Sequence, residues 1–179
     1  MPSPNRGGRA IQTNVEDLVT TRLVLHPMTI DEAQQVLAQM PDADARWAPG
    51  YPADGERNAA LRYLTTCEEI GDPRPFGTYE IRRREDGQAI GGLGFHGAAD
   101  ERGVVTIGYG LIPSVRGMGY ATEALRELLR FAAAHGVTAV EGDTTHDNLG
   151  SQRVMEAVGM RLVEENEKLR FYRWNRNDT

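Results

Sequence analysis

The chain has 179 residues, 40% of them hydrophobic, with 26 acidic against 20 basic side chains and a formal net charge of −6. That length closes a core without covalent staples, and the acidic balance argues against a nucleic-acid surface, which needs a basic excess. The single cysteine, Cys67, leaves no disulfide or cysteine-based zinc knuckle to build, and no apolar run nears the ~20 residues of a membrane span, so a cytoplasmic protein without a metal or a membrane partner is expected.

Residues 1–14 are rich in Pro, Gly and Ser and lack the apolar stretch of a signal peptide, so they read as a flexible leader before a single domain over 15–179. Thr21 to His26 alternates apolar and polar residues and predicts a strand. Thr29 or Asp31 caps a helix reaching Met40, with Ala33, Val36, Leu37 and Met40 on one face. Pro41 to Gly55, with three prolines and two glycines around Trp47 and Tyr51, reads as loop, and Glu56 to Ile70 as a second helix. Phe76 to Arg84 and Ala89 to His96 flank the turn at Asp86-Gly87 as a hairpin, and Val104 to Ile112 follows as another strand. Tyr120 to His135 carries the strongest helical stripe, Leu125, Leu128, Leu129 and Ala132. A strand over Val137 to Asp143, a short helix over Gly150 to Val158 and a hairpin of Arg161 to Glu165 with Leu169 to Trp174 complete the chain. This order predicts an α/β fold of the α+β type. Its central sheet is mixed but mostly antiparallel, with about seven strands and about four flanking helices, and one right-handed crossover makes a parallel pair.

The densest chemical signal is Ile107-Gly-Tyr-Gly-Leu-Ile-Pro-Ser-Val-Arg116-Gly117-Met118-Gly119-Tyr120-Ala121-Thr122, where a strand runs into a glycine turn that opens the best helix. Unpaired N–H groups at a helix start favour phosphate, small residues let it approach the backbone, and Arg116 adds a charge. No Lys-Ser or Lys-Thr follows the last glycine, so this is no P-loop, and the dinucleotide fingerprint fails at Thr122. Gly92-Leu-Gly-Phe-His-Gly97 matches that fingerprint as a string but precedes a polar turn and a strand, so it is set aside. A tight turn that needs small residues only for packing is the plainer reading of the first loop.

Arg116-x-x-Gly119-x-Ala121 resembles the Q/R-x-x-G-x-G/A signature of the GNAT acetyltransferases. Asn148-x-x-Ser151, leading through Met155 to Gly159-Met160, resembles a second landmark of that superfamily, and Thr21-Arg22-Leu23-Val24-Leu25 resembles the opening strand of its Rim-type branch. The resemblance implies a sheet splayed between its fourth and fifth strands, with acetyl-CoA as co-substrate. Pantetheine would then pair with backbone near Leu111 and Ile112, and pyrophosphate would sit on Arg116, Gly117, Met118, Gly119, Tyr120, Ala121 and Thr122. Asn148 would bond the pantetheine arm and Ser151 would lie near the thioester sulfur. The implied reaction is direct attack by a primary amine, from a protein N-terminus or a small molecule, in a ternary complex.

Such a transfer needs a base for the amine, an oxyanion donor and an acid for the thiolate. A free N–H near Ile112 is the expected oxyanion donor. Relatives often place a tyrosine acid seven residues after the asparagine; here that residue is Met155, and Ser151 is the nearest substitute, unless it only bonds backbone at its helix start. Thr106 stands where relatives often carry glutamate, which leaves His96 as the candidate base, with Glu80, Glu141, Asp143 or a water relay as alternatives. Trp47 and Tyr51 are candidates for holding a cationic acceptor, local packing being the other reading. The vacancies at Thr106 and Met155 also suit a non-catalytic acyl-CoA-binding sensor, and a nucleotide-binding protein using the same loop is a third reading. Exposed edge strands offer a route to a homodimer.

Overall fold

A computed structural model describes residues 15–178, and the expected leader lies outside them. In chain order the elements are β1 (Leu18–Val19), β2 (Leu23–Pro27), α1 (Ile30–Ala38), α2 (Asp54–Ile70), β3 (Thr78–Arg83), β4 (Ala89–Phe95), β5 (Val104–Leu111), α3 (Tyr120–Ala134), β6 (Ala139–Thr145), α4 (Leu149–Ala157), β7 (Arg161–Glu165) and β8 (Leu169–Asn175). The strands form one eight-stranded sheet in the order β1-β2-β3-β4-β5-β6-β8-β7. Every neighbouring pair is antiparallel except β5 with β6, the crossover made through α3. The α+β expectation holds, with eight strands instead of seven. The extra one, β1, is two residues long and too short to leave an alternation in the sequence.

Helix boundaries follow local chemistry. Thr29 caps α1 through its side chain, and Glu32 returns the bond to the Thr29 N–H in a capping box. Ala53 has no capping side chain, so at α2 only the reverse half is present, Glu56 accepting the Ala53 N–H at 2.8 Å. Asn148 caps α4 by accepting the Ser151 N–H at 3.1 Å.

The pleat assigns the helices to opposite faces of the sheet. On one face Phe95 of β4 packs against Phe131 of α3 with centroids 6.2 Å apart. Three residues earlier, and therefore on the other face, a methyl placed on Gly92 would meet Glu56 of α2. Leu125, Leu128 and Ala132 of α3 are fully buried with Leu23, Leu25, Ile81 and Ile90 of the sheet. Each large aliphatic side chain so buried contributes roughly 1.5–3 kcal/mol. Between β5 and β6 the pairing runs only from Val104 with Ala139 to Thr106 with Glu141. Both strands continue beyond it, β5 to Leu111 and β6 to Thr145, so the sheet opens there into a V.

Candidate functional site

The V is lined by backbone that lacks a partner. In the antiparallel β4–β5 ladder, Ile112 donates its N–H to Ile90 O at 2.9 Å, and His96 donates to Thr106 O at 2.8 Å. Alternation of bonded pairs then turns the N–H groups of Ile107, Tyr109 and Leu111 toward β6. Beyond Thr106 no β6 residue pairs with β5, so the Tyr109 and Leu111 amides open into the V. This corrects the expectation at Ile112, whose N–H is consumed by the sheet. The free donors sit one residue earlier and three residues earlier on the same strand.

At the mouth of the V stands the start of α3. Gly117 and Gly119 have φ of 78° and 82°, a left-handed backbone that glycine adopts without strain. The first helical bond is Glu123 N–H to Gly119 O, and Gly119 offers no side-chain cap. None of the six amides from Gly117 to Thr122 finds a partner among the described residues. Together with the helix dipole they make a concave set of donors for an anion. Arg116 turns back, its Nε donating to Leu111 O at 3.0 Å, which pins the loop to the strand end. Met118 and Thr122 complete the rim, Met118 being exposed.

The loop is bolted from outside by a residue of the bend between β1 and β2. Arg22 donates from Nε to Glu123 at 2.7 Å and from Nη1 to Met118 O at 2.8 Å, and its guanidinium lies 4.5 Å above the Tyr120 ring. The Arg22 N–H and the Thr20 hydroxyl also bond Glu123. The carboxylate is thereby held below its usual range: burial alone would raise it, but the bonds from Thr20 and Arg22 outweigh that.

On the face that carries α2, a cleft of about 310 Å³ lies against β4 and β5. Glu56, Arg62, Tyr63, His96 and Asp143 contribute its functional side chains. The His96 ring covers Gly108, its Nε2 3.0 Å from where a methyl on that glycine would sit. Burial pushes its pKa below 6.5, Arg62 adds to this and Asp143 opposes it, so the imidazole is neutral near pH 7. Two alternative bases are occupied elsewhere. Glu80 is buried, accepting from Tyr51 Oη at 2.9 Å and from Arg82, and Glu141 pairs with Arg173.

Across the V, α4 brings Ser151 to Tyr109, with Oη and Oγ 2.8 Å apart. Burial pushes the Tyr109 phenol up to about 12, the Ser151 bond acting the other way. Tyr109 was not singled out in the sequence, although its place in the strand before the glycine loop was available as a signal. Met155 is fully buried, its Sδ packed toward Gly142, so that position serves the core. Asn148 spends Oδ1 on the α4 cap, leaving Nδ2 to donate, and His146 bonds Asn166 O at 2.7 Å. Trp47 and Tyr51 do not line this cleft. Tyr51 is buried on Glu80, and Trp47 packs edge-on against it at 5.5 Å.

Comparison with known proteins agrees with this geometry. A family model described as an acetyltransferase (GNAT) domain matches residues 22–161. The chain is similar to the uncharacterized N-acetyltransferase YjdG of Bacillus subtilis (strain 168), 32% identical over 152 residues covering 81% of this chain and 89% of that protein. It is 28% identical over 131 residues to the aminoglycoside N(6')-acetyltransferase type 1 of Salmonella typhimurium, covering 70% of this chain and 83% of that protein. Among solved structures, RimL, a ribosomal L7/L12 alpha-N-protein acetyltransferase in complex with coenzyme A, superposes with a TM-score of 0.65 over 89% of this chain and 98% of its own, at 18% identity.

Proposed function

The chain belongs to the GNAT acetyltransferase family, and from that premise we propose that it transfers acetyl from acetyl-CoA directly to a primary amine bound in the cleft beside α2. The observation that carries this reading is the V between β5 and β6, which runs from two unpaired strand amides to six unpaired loop amides. The donor set fits the co-substrate. Amides from Gly117 to Thr122, with Arg116 beside them, suit a pyrophosphate, and the Tyr109 and Leu111 backbone suits the amide-bearing pantetheine arm, with Asn148 Nδ2 facing it from α4.

Acetyl-CoA supplies an activated thioester carbonyl. His96, neutral and close to Asp143, takes the proton of the attacking amine. An amide of Tyr109 or Leu111 donates to the oxygen that gains charge as the C–N bond forms. The Tyr109–Ser151 hydroxyl pair delivers a proton to the thiolate as the C–S bond breaks. Arg22 and the Thr21-Arg22-Leu23-Val24-Leu25 segment it belongs to support a Rim-type reading, and with it a protein N-terminus as acceptor. A small-molecule amine suits the same cleft. The lone cysteine suits a reducing cytoplasm, and among the described residues no helix is long and apolar enough to cross a membrane.

The deciding experiment is calorimetric titration with acetyl-CoA of the wild type and Met118→Glu. Gly119 is a poorer target, since any side chain there meets a left-handed backbone and stands 3.3 Å from Arg22. Met118 is exposed, so the substitution adds a charge against the phosphates without touching the core. We expect saturable binding by the wild type and an affinity loss of about tenfold or more, larger at low salt. Equal affinity of the two proteins would place the pyrophosphate elsewhere, and no binding by folded wild type would end the reading.

A further inference from the structure

The cleft holds one carboxylate that the transfer step leaves unused. Glu56 is 6% exposed, yet only one of its oxygens is satisfied: Oε2 accepts the Ala53 N–H, while Oε1 has no partner among the described residues. Oε1 lies 3.6 Å from where a methyl on Gly110 would sit, and Cγ lies 3.5 Å from the same position on Gly92. Gly92 and Gly110 are partners in the β4–β5 register, so the carboxylate rests above a stretch of sheet without side chains. A larger residue at either position would fill that space.

Among the described residues no Arg, Lys or His stands within ion-pairing distance of Glu56, although Arg62 lines the same cleft. The unpartnered Oε1 is not sealed off but opens onto the cleft, where a cation or a donor can meet it. His96 lies over Gly108 and Glu56 over Gly110, two residues along β5, so the sheet positions beneath the two side chains are about 7 Å apart at the rise of a strand.

We propose that Glu56 is the subsite for a second positive charge on the acceptor, so that the preferred substrates are amines carrying an ammonium or guanidinium about 7 Å from the reacting nitrogen. This rests on the acetyl-transfer reading for the reacting end, with His96 receiving one nitrogen and Glu56 the other. A charge-assisted bond to a mostly buried carboxylate is worth a preference of about 10- to 100-fold over an acceptor that lacks the second charge.

The test compares cadaverine, whose two nitrogens span a comparable distance when extended, with pentylamine, which has one nitrogen. Both are titrated calorimetrically into wild type and Glu56→Gln and then compared as acceptors by kcat/KM. Glutamine keeps an oxygen for the Ala53 N–H, and an unchanged circular-dichroism spectrum verifies that α2 still forms. The expected result is at least tenfold tighter cadaverine binding in the wild type, falling to within about threefold of pentylamine in the variant, with the kcat/KM ratio following. Equal binding of the two amines by wild type, or a preference that survives in Glu56→Gln, overturns the subsite. The binding comparison needs no acetyl-CoA, so its failure is distinct from failure of the transferase reading, which would appear as absent acetyl-CoA binding or product.

Discussion

His96 gains its chemical character from neighbours that are distant in sequence. Burial and Arg62 of α2 lower its pKa while Asp143 of β6 holds it up, and the absence of a side chain on Gly108 leaves the space that the ring occupies. If it receives the amine proton, kcat/KM on the enzyme side climbs with pH through a value below 6.5 and is level above it. His96→Gln should remove that limb and lower kcat by about 100-fold or more, leaving only the titration of the acceptor itself. A pH–rate profile of both proteins checks this, and an unchanged acidic limb in the variant would move the base to Asp143. Glu56, one turn into α2, differs in kind: its carboxylate is offered to a ligand and takes no part in proton transfer.

At the scale of elements, the opening strand and the third helix are joined by Arg22. The Thr-x-Arg-Leu pattern is visible in the sequence, but its purpose is not, because Glu123 and the Met118 carbonyl lie about a hundred residues away. The bolt fixes the direction of the loop amides and so preorganises the anion site. Arg22→Ala should weaken acetyl-CoA binding by about tenfold through KM, with kcat changing far less, and lower stability by about 1–3 kcal/mol because Glu123 keeps its place without its partner. Steady-state kinetics at varied acetyl-CoA with a denaturant melt would measure both. A fall in kcat alone would assign Arg22 to the reaction centre instead.

For the whole molecule, the edge of the sheet is tied to α1 by a cluster centred on His26. Its Nδ1 meets Asp17 at 2.7 Å and its Nε2 meets Glu32 at 3.0 Å, with Arg82 beside them. Burial pushes the His26 pKa down and Arg82 acts in the same direction, but the bonds to Glu32 and Asp17 outweigh them and leave it above 6.5. Burial likewise opposes the charge on Glu32, yet His26 and the Thr29 cap bring it down to about 2. The His26 contribution is therefore complete below its ordinary value of 6.5 and is lost as pH rises through the raised one. That of Glu32 is complete above 4.5 and is lost as pH falls toward about 2. His26→Gln should cost about 1 kcal/mol near pH 5.5 and much less near pH 8.5, read as the difference in thermal midpoints. An equal cost at both values would show that the pair carries no charge.

Much of this protein is legible without coordinates. Periodicity, caps and glycine punctuation place all four helices and seven of the eight strands, since these are set by neighbours in the chain. The glycine loop is equally local, a strand, a turn and a helix start in one continuous stretch. What tertiary structure decided is which groups meet across the sheet. It moved the free amide from Ile112 to Tyr109 and Leu111, because bonding parity depends on the register with β4. It kept Tyr51 and Trp47 away from the cleft beside α2 by burying one on Glu80 and packing the other against it. It joined Tyr109 to Ser151, Arg22 to Glu123, and Glu56 to Gly92, the first glycine of a string that reads falsely as a phosphate fingerprint, and to Gly110 across the ladder. The reason is physical: local propensity follows residues a few positions apart, whereas strand register and helix packing select contacts over the length of the chain, and the candidate site is made of contacts of that second kind.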